Sequence, residues 1–386
     1  MAVLRVPVAP ELLTWAVERS GRDFDEIAGT AQLKDLPLWQ DREKSPTYKQ
    51  LEKFARATYV PLGYFFLSEP PAETVPIPDY RTVGNAGVRR PSPNLLDTIS
   101  ICEQRQAWYR DYLRFNEAET LPFVGSAQVG DPVQEVVTAI RQGLQFTRAE
   151  RASDSNWSEA LRRLIDTAEE LGILVMVSGI VGNNTSRALD REEFRGFALT
   201  DGRAPLIFIN GRDTKAAQIF TLVHEVAHIW LGQSALTDAS LDLRSTNSTE
   251  LWCNQVAAEV LVPLADLRRV YNGNADINEL NRLARVYKVS TLVLLRRIFD
   301  GGFLEWDDYR ARYESELVRV MALLDRGPSS GGDFYNTQPL RVSRRLAQAV
   351  VADTLAGRTL HRDAYQLLGT RKHETFVHLG EQVGVA

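Results

Sequence analysis

The feature that most constrains this chain is a short polar run set inside an apolar stretch. Residues 224–228 read His224-Glu225-Val226-Ala227-His228, flanked by Phe220, Leu222, Val223, Ile229 and Trp230. Polar groups in such surroundings are costly unless something satisfies them. A helix here turns both imidazoles to one face, because residues four apart lie about 40° apart around the axis. Two neutral imidazoles at that spacing can ligate one Zn²⁺. Glu225 beside them has the position of a general base that accepts a proton from an attacking water. Asp213 can cap this helix, which runs to about Leu231 and stops at Gly232.

A catalytic zinc site needs a third protein ligand and an open position. The next helix, Thr249–Val262 and ended by Pro263, offers Glu250 and Glu259. Nine residues apart, they point to opposite faces, so only one reaches the metal. Glu250 shares its face with Asn254 and with Ala257, whose small side chain allows close helix approach. Asn254 could hold the Glu250 carboxylate. Glu250 is therefore the expected third ligand, and Glu259 reads as a solvated carboxylate. Asp238 and Asp242, in a polar loop over 233–248, are weaker candidates because a loop positions a ligand less firmly.

Upstream of the motif, short β-branched runs at Gly172–Val177, Phe194–Leu199 and Leu206–Ile209 read as strands. Ser158–Leu171 and about Asn94–Phe115 read as helices, as does most of the chain after Pro263. Residues 8–68 form a run of short helices, followed by the stiff connector of Pro70, Pro71, Pro76 and Pro78. Gly327–Gly332 is a small flexible loop. The expected fold class is α+β and mainly helical. The expected division is 1–70, a linker over 71–92, 93–300 with a small β-sheet, and a C-terminal helical region over 301–386.

With 386 residues, 44% of them apolar and 25% charged, the chain can bury a sizeable core. Its two cysteines, Cys102 and Cys253, make no disulfide framework and fit a reducing cytoplasm. No secretory signal and no membrane span is legible, so a cytoplasmic location without a membrane partner is expected. The net charge of −5 confines any nucleic-acid contact to a local patch.

The run Thr221-Leu-Val-His-Glu-Val-Ala-His228, followed by Glu250-Leu-Trp-Cys-Asn-Gln-Val-Ala-Ala-Glu-Val-Leu-Val-Pro263, closely resembles the ImmA/IrrE family of bacterial zinc metallopeptidases. The strand Glu193-Phe-Arg-Gly-Phe-Ala-Leu199 resembles the segment upstream of that family's motif. The resemblance covers about 170–300. It implies a zincin-like fold with a small sheet over the motif helix, Zn²⁺ on His224, His228 and Glu250, and Glu225 as the catalytic base. It also implies a protein substrate, typically a transcriptional repressor, cut by limited cleavage. A sheet-edge strand within 194–199 could hold an extended peptide by strand addition.

Residues 8–68 resemble the Cro/CI-like (XRE) helix-turn-helix module through Trp39-Gln40, Ser45-Pro46-Thr47, Leu51, Ala55 and Val60-Pro61-Leu62-Gly63-Tyr64. That module is commonly joined to ImmA/IrrE peptidase domains through a linker like Ile77-Pro-Asp-Tyr-Arg-Thr82. It implies DNA as a partner. Yet Pro37 would distort a recognition helix and Asp35 would face phosphates. Residues 1–80 hold nine Lys/Arg against twelve Asp/Glu, which also suits protein contacts.

Two basic regions accompany these. Ile277–Phe299 reads as a second helix-turn-helix-like pair carrying Arg282, Arg285, Lys288, Arg296 and Arg297, expected to be ordinary support with a solvated face. Residues 341–372 hold seven Lys/Arg and two Asp/Glu, again expected to be a solvated helix face. His361, His373 and His378 lie far from the motif in sequence. The competing expectation is a non-catalytic regulator, or a toxin–antitoxin-like partner of a neighbouring gene product, with a structural or sensory zinc site.

Overall fold

The β-branched runs assemble into one small mixed sheet. In the computed structural model, which describes residues 4–80, 91–151, 153–237, 247–325 and 334–385, the strands are β1 (Leu174–Ser178), β2 (Gly196–Leu199), β3 (Leu206–Asn210) and β4 (Ala235–Thr237). Their order across the sheet is β1-β3-β2-β4. β1 runs parallel to β3, whereas β2 is antiparallel to both β3 and β4. Every strand residue is buried. That explains why the runs are continuously apolar rather than alternating, since helices cover both faces. Val175, Val177, Ala198, Ile207 and Ile209 join the large core that contains the motif helix. On the other face Phe197 stacks on Phe208 at 5.0 Å between centroids. There too Met176 meets Cys102 and Arg105 of the helix Pro93–Phe115.

This topology alters one expectation. Residues 196–199 are flanked by β3 and β4 and are not an edge. The edge on that side is β4, a three-residue strand within a stretch whose polarity reads as loop; β1 is the other edge.

The described residues divide into two compact units. Those up to Pro76, with 91–97, form one; Ile77 to Tyr80 and those from Thr98 onward form the other. In the first unit, helices Pro10–Ser20, Phe24–Ala28, Leu36–Gln40 and Tyr48–Thr58 and a 3₁₀ turn, Leu62–Phe66, enclose Leu12, Leu13, Ile27, Leu33, Leu36, Trp39, Leu51, Phe54 and Phe65. Thr47 and Gln50 close a capping box on the fourth helix. Pro37 sits in the first turn of a helix only five residues long, where a missing N–H costs nothing. Asp35 is partly exposed but not a bare charge: its carboxylate accepts from Lys44 Nζ at 2.6 Å.

In the second unit, an amphipathic helix, Trp157–Glu170, packs Ala160, Leu161, Leu164, Ile165 and Ala168 into the core beside the motif helix. Its side-chain cap is Asn156, which accepts from Glu159 N. The pair Ile277–Tyr287 and Thr291–Asp300 turns at Lys288, which takes a left-handed conformation, and Ser290 caps the second helix. Three of its five basic side chains are paired within the fold, and Arg285 stays exposed. Arg282 pairs with Glu279, Arg296 with Asp300, and Arg297 with Glu259. The C-terminal region consists of helices Phe334–Val342, Arg344–Leu355, His361–Leu368 and His373–Val383. Arg345 and Arg358 of its basic stretch bond Tyr109 and Asp353. The Gly327–Gly332 stretch lies outside the described residues.

Candidate metal centre

The motif helix runs Lys215–Leu231, capped by Thr214, whose hydroxyl accepts from Ala217 N at 3.1 Å. Thr214 thus takes the place expected of Asp213. Gly232, at φ 67°, ends the helix in a left-handed turn. Every residue from Gln218 to Leu231 is buried, so this helix is central to the fold. Its C-terminal carbonyls, which a buried helix end must satisfy, are met from outside the helix. Gly125 N donates to Ile229 O at 3.1 Å and Ala127 N to Trp230 O at 3.0 Å. Phe123 stacks on Trp230 at 4.5 Å.

One turn apart on this helix, His224 and His228 bring their Nε2 atoms to 3.2 Å of each other. The next helix, Ser248–Leu261, lies directly against the first, with Ala257 wholly buried beside it. Its first turn delivers Glu250. One carboxylate oxygen stands 3.3 Å from His224 Nε2 and the other 3.0 Å from His228 Nε2. Asn247 fixes that turn by accepting from the backbone N of Thr249 and Glu250. Two Zn–N bonds and one Zn–O bond of about 2.0–2.1 Å at tetrahedral angles place donor atoms about 3.3 Å apart. The carboxylate sets one oxygen against each imidazole, and one ligating atom from each of the three residues lies within 4.8 Å of the other two, so the residues fit a divalent cation. They are also the one group of three or more ligating side chains that converges in this way among the described residues.

Glu259 departs from its expected solvated state. It faces away from His224 and His228, pairs with Arg297, a side chain 3% exposed, and accepts from Leu264 N. Asn254 lines the same outer cavity as Glu259 and Arg297. Asp238 and Asp242 lie outside the described residues. His361, His373 and His378 belong to the C-terminal helices, where His373 bonds Tyr365.

Glu225 is wholly buried and close to the ligand group. One of its oxygens accepts from Thr237 Oγ at 2.5 Å. The other, Oε2, has no hydrogen-bond partner among the described residues. Burial pushes the carboxyl up to about 8, opposed by the neighbouring His224 and by Thr237. Glu250 moves the other way: burial alone would raise it, but the two imidazoles hold it down at about 2. Burial also lowers the pKa of His228 and so favours the neutral form that binds metal. Without a bound ion, Glu225 thus tends to keep its proton and Glu250 its charge, two opposite protonation preferences set by environment; a divalent ion beside Glu225 would favour its charged, proton-accepting form.

Three contributors are absent from the sequence reading. Thr237 comes from β4. Gly196 of β2 lets the sheet approach the motif helix: a Cβ there would stand 2.6 Å from Thr221 Cγ2, 2.9 Å from Phe208 O and 3.1 Å from Glu225 Oε1. Its available signal was a glycine inside a strand pattern, which marks close approach. Tyr80, from the proline-rich stretch, lays its ring along that of His228, with 6.3 Å between centroids and 23° between planes.

Residues 162–299 match the family model described as the IrrE N-terminal-like domain, peptidase family M78. The matched stretch encloses all four strands, the motif helix and Glu250. This supports the ImmA/IrrE resemblance and a metallopeptidase-like protein. Residues 342–382 match a family described as a domain of unknown function (DUF8813). No curated protein and no solved structure matches the chain.

Proposed function

We propose that this chain is a regulatory zinc-dependent metallo-endopeptidase that cuts a protein substrate such as a transcriptional repressor. The observation that carries the reading is the pairing of a converged His224, His228 and Glu250 set with a buried Glu225 whose Oε2 has no hydrogen-bond partner among the described residues. His224, His228 and Glu250 hold the ion. When bound, zinc acts as a Lewis acid toward the scissile carbonyl and makes a water nucleophilic near neutral pH. Glu225 takes the proton of that water on Oε2 and passes it to the leaving amine. Thr237 Oγ pins Oε1, so the carboxylate presents one fixed oxygen. Purely structural or sensory metal binding would have no use for such a group.

On this reading 93–300 is the peptidase domain and 301–386 a helical region attached to it. Residues 1–70 are a helix-turn-helix module that directs the enzyme to DNA or to a partner protein, and the chain works in the cytoplasm. The test is Glu225→Gln. Co-expressed with the repressor, the wild type shortens it, whereas the variant keeps its zinc and leaves the repressor intact. Equal cleavage by both removes the enzymatic reading. For the N-terminal module, gel retardation of the chain's own upstream DNA over a salt series decides, since phosphate contacts weaken steeply with salt. No retardation at low salt removes DNA binding.

A further inference from the structure

β4 is the edge of the sheet beside the metal centre, and its outward backbone groups are taken. In a three-residue strand whose neighbours pair inward with β2, only the central residue points its N–H and C=O outward. That residue is Leu236. Its N–H donates to Pro78 O at 2.9 Å, and its C=O accepts from Tyr80 N at 2.9 Å. Asp79 is its partner in a parallel bridge. Past that bridge the Tyr80 ring lies along His228, a residue of the ligand group. The segment is suited to the role by its sequence. Pro76 and Pro78 keep it extended and donate no hydrogen bonds, so little order is lost on docking.

We propose, resting on the peptidase reading, that Pro78–Tyr80 occupies the edge on which an extended peptide with an aromatic side chain docks. A protein substrate then pairs with Leu236 only after this internal strand has left. The segment that blocks the edge is continuous in sequence with the N-terminal module. A partner that captures the connector therefore opens the site.

The test uses the full zinc-loaded chain. Two rates are measured: zinc transfer to a colorimetric chelator, pyridylazoresorcinol, and hydrogen exchange at the backbone amide of position 236. Tyr80→Ala removes the stacked ring and should raise both by roughly three- to tenfold, while Tyr80→Phe keeps the wild-type rates. In Asp79→Cys/Leu236→Cys, oxidation joins the bridge partners, with the native Cys102 and Cys253 buried. Both rates should then fall on the order of tenfold and recover on reduction. Unchanged rates in Tyr80→Ala, or failure of the disulfide to form, overturn the docked strand. Exchange at position 236 needs neither metal nor turnover, so it answers even if the peptidase reading fails. If the chain does cleave its repressor, but Tyr80→Ala cleaves no faster than wild type, the blocking role is removed and the peptidase reading stands.

Discussion

Glu225→Gln in the metal-free chain should stabilise the protein at alkaline pH and not at acid pH. The reason lies in where the carboxyl sits. It is wholly buried, and burial raises it from an ordinary 4.5 to about 8. Below about pH 4.5 the group is protonated both folded and unfolded, and the variant gains nothing. From there to pH 8 the unfolded chain releases the proton that the folded chain keeps. Folding then takes up a proton, so stability falls as pH rises. Above pH 8 the full cost is present. The gap sets a ceiling of about 5 kcal/mol at roughly 1.4 kcal/mol per pH unit. Relaxation and water entry around the ionised group bring the expected gain to about 2 kcal/mol. Glutamine keeps the acceptor for Thr237 Oγ and carries no charge, so it mimics the protonated acid. Other titrating groups are common to both chains and cancel in the difference. The assay is urea unfolding of chelator-treated wild type and variant at pH 5 and pH 8.5, followed through the tryptophans around the motif helix. Curves that separate at pH 8.5 and converge at pH 5 are expected. A variant no more stable than wild type at pH 8.5 refutes the buried, proton-holding state of Glu225. Zinc should narrow the gap, since a divalent ion beside the carboxyl favours its charged form.

Glu250→Ala should weaken zinc binding on the order of a hundredfold or more, beyond what loss of an outer partner costs; equilibrium dialysis showing wild-type zinc content would exclude it as a ligand. Thr237→Val removes the donor to Glu225 Oε1. It should leave zinc in place and lower kcat about tenfold. Because that hydrogen bond lowers the Glu225 pKa, its loss should move the acid limb of the pH–rate profile upward, and an unmoved limb counts against the contact. Gly196→Ala forces a methyl against Thr221 and the Phe208 carbonyl and should cost about 1–3 kcal/mol. An unaltered melting curve would show that β2 does not pack so tightly on the motif helix.

What was legible in the sequence was what local periodicity encodes. The imidazole spacing, the strands at 174–178 and 206–210 and the helix stop at Gly232 follow from residues within a turn or two of one another. Glu250 was separable from Glu259 because a nine-residue interval on a helix fixes opposite faces. The remainder depends on contacts between distant segments. Ala235-Leu-Thr237 is too short to show a period and becomes a strand only by pairing with 196–198. For the same reason β2 looked like an edge. Glu259 seemed solvated because its partner, Arg297, comes from a helix 38 residues further on. Tyr80 sits among prolines that signal a connector, and nothing local announces that the connector returns to the sheet.

The turn at 123–127 carries a practical consequence for anyone excising the peptidase. The stretch that resembles a known domain starts at residue 162, yet the last carbonyls of the motif helix are stoppered by Gly125 and Ala127, and Trp230 is shielded by Phe123. A fragment cut at the apparent boundary would bare the Trp230 ring and strip its carbonyl of the Ala127 N–H, two residues from His228. Such a piece would be expected to clump in expression, whereas one begun ahead of residue 118 would carry its own plug.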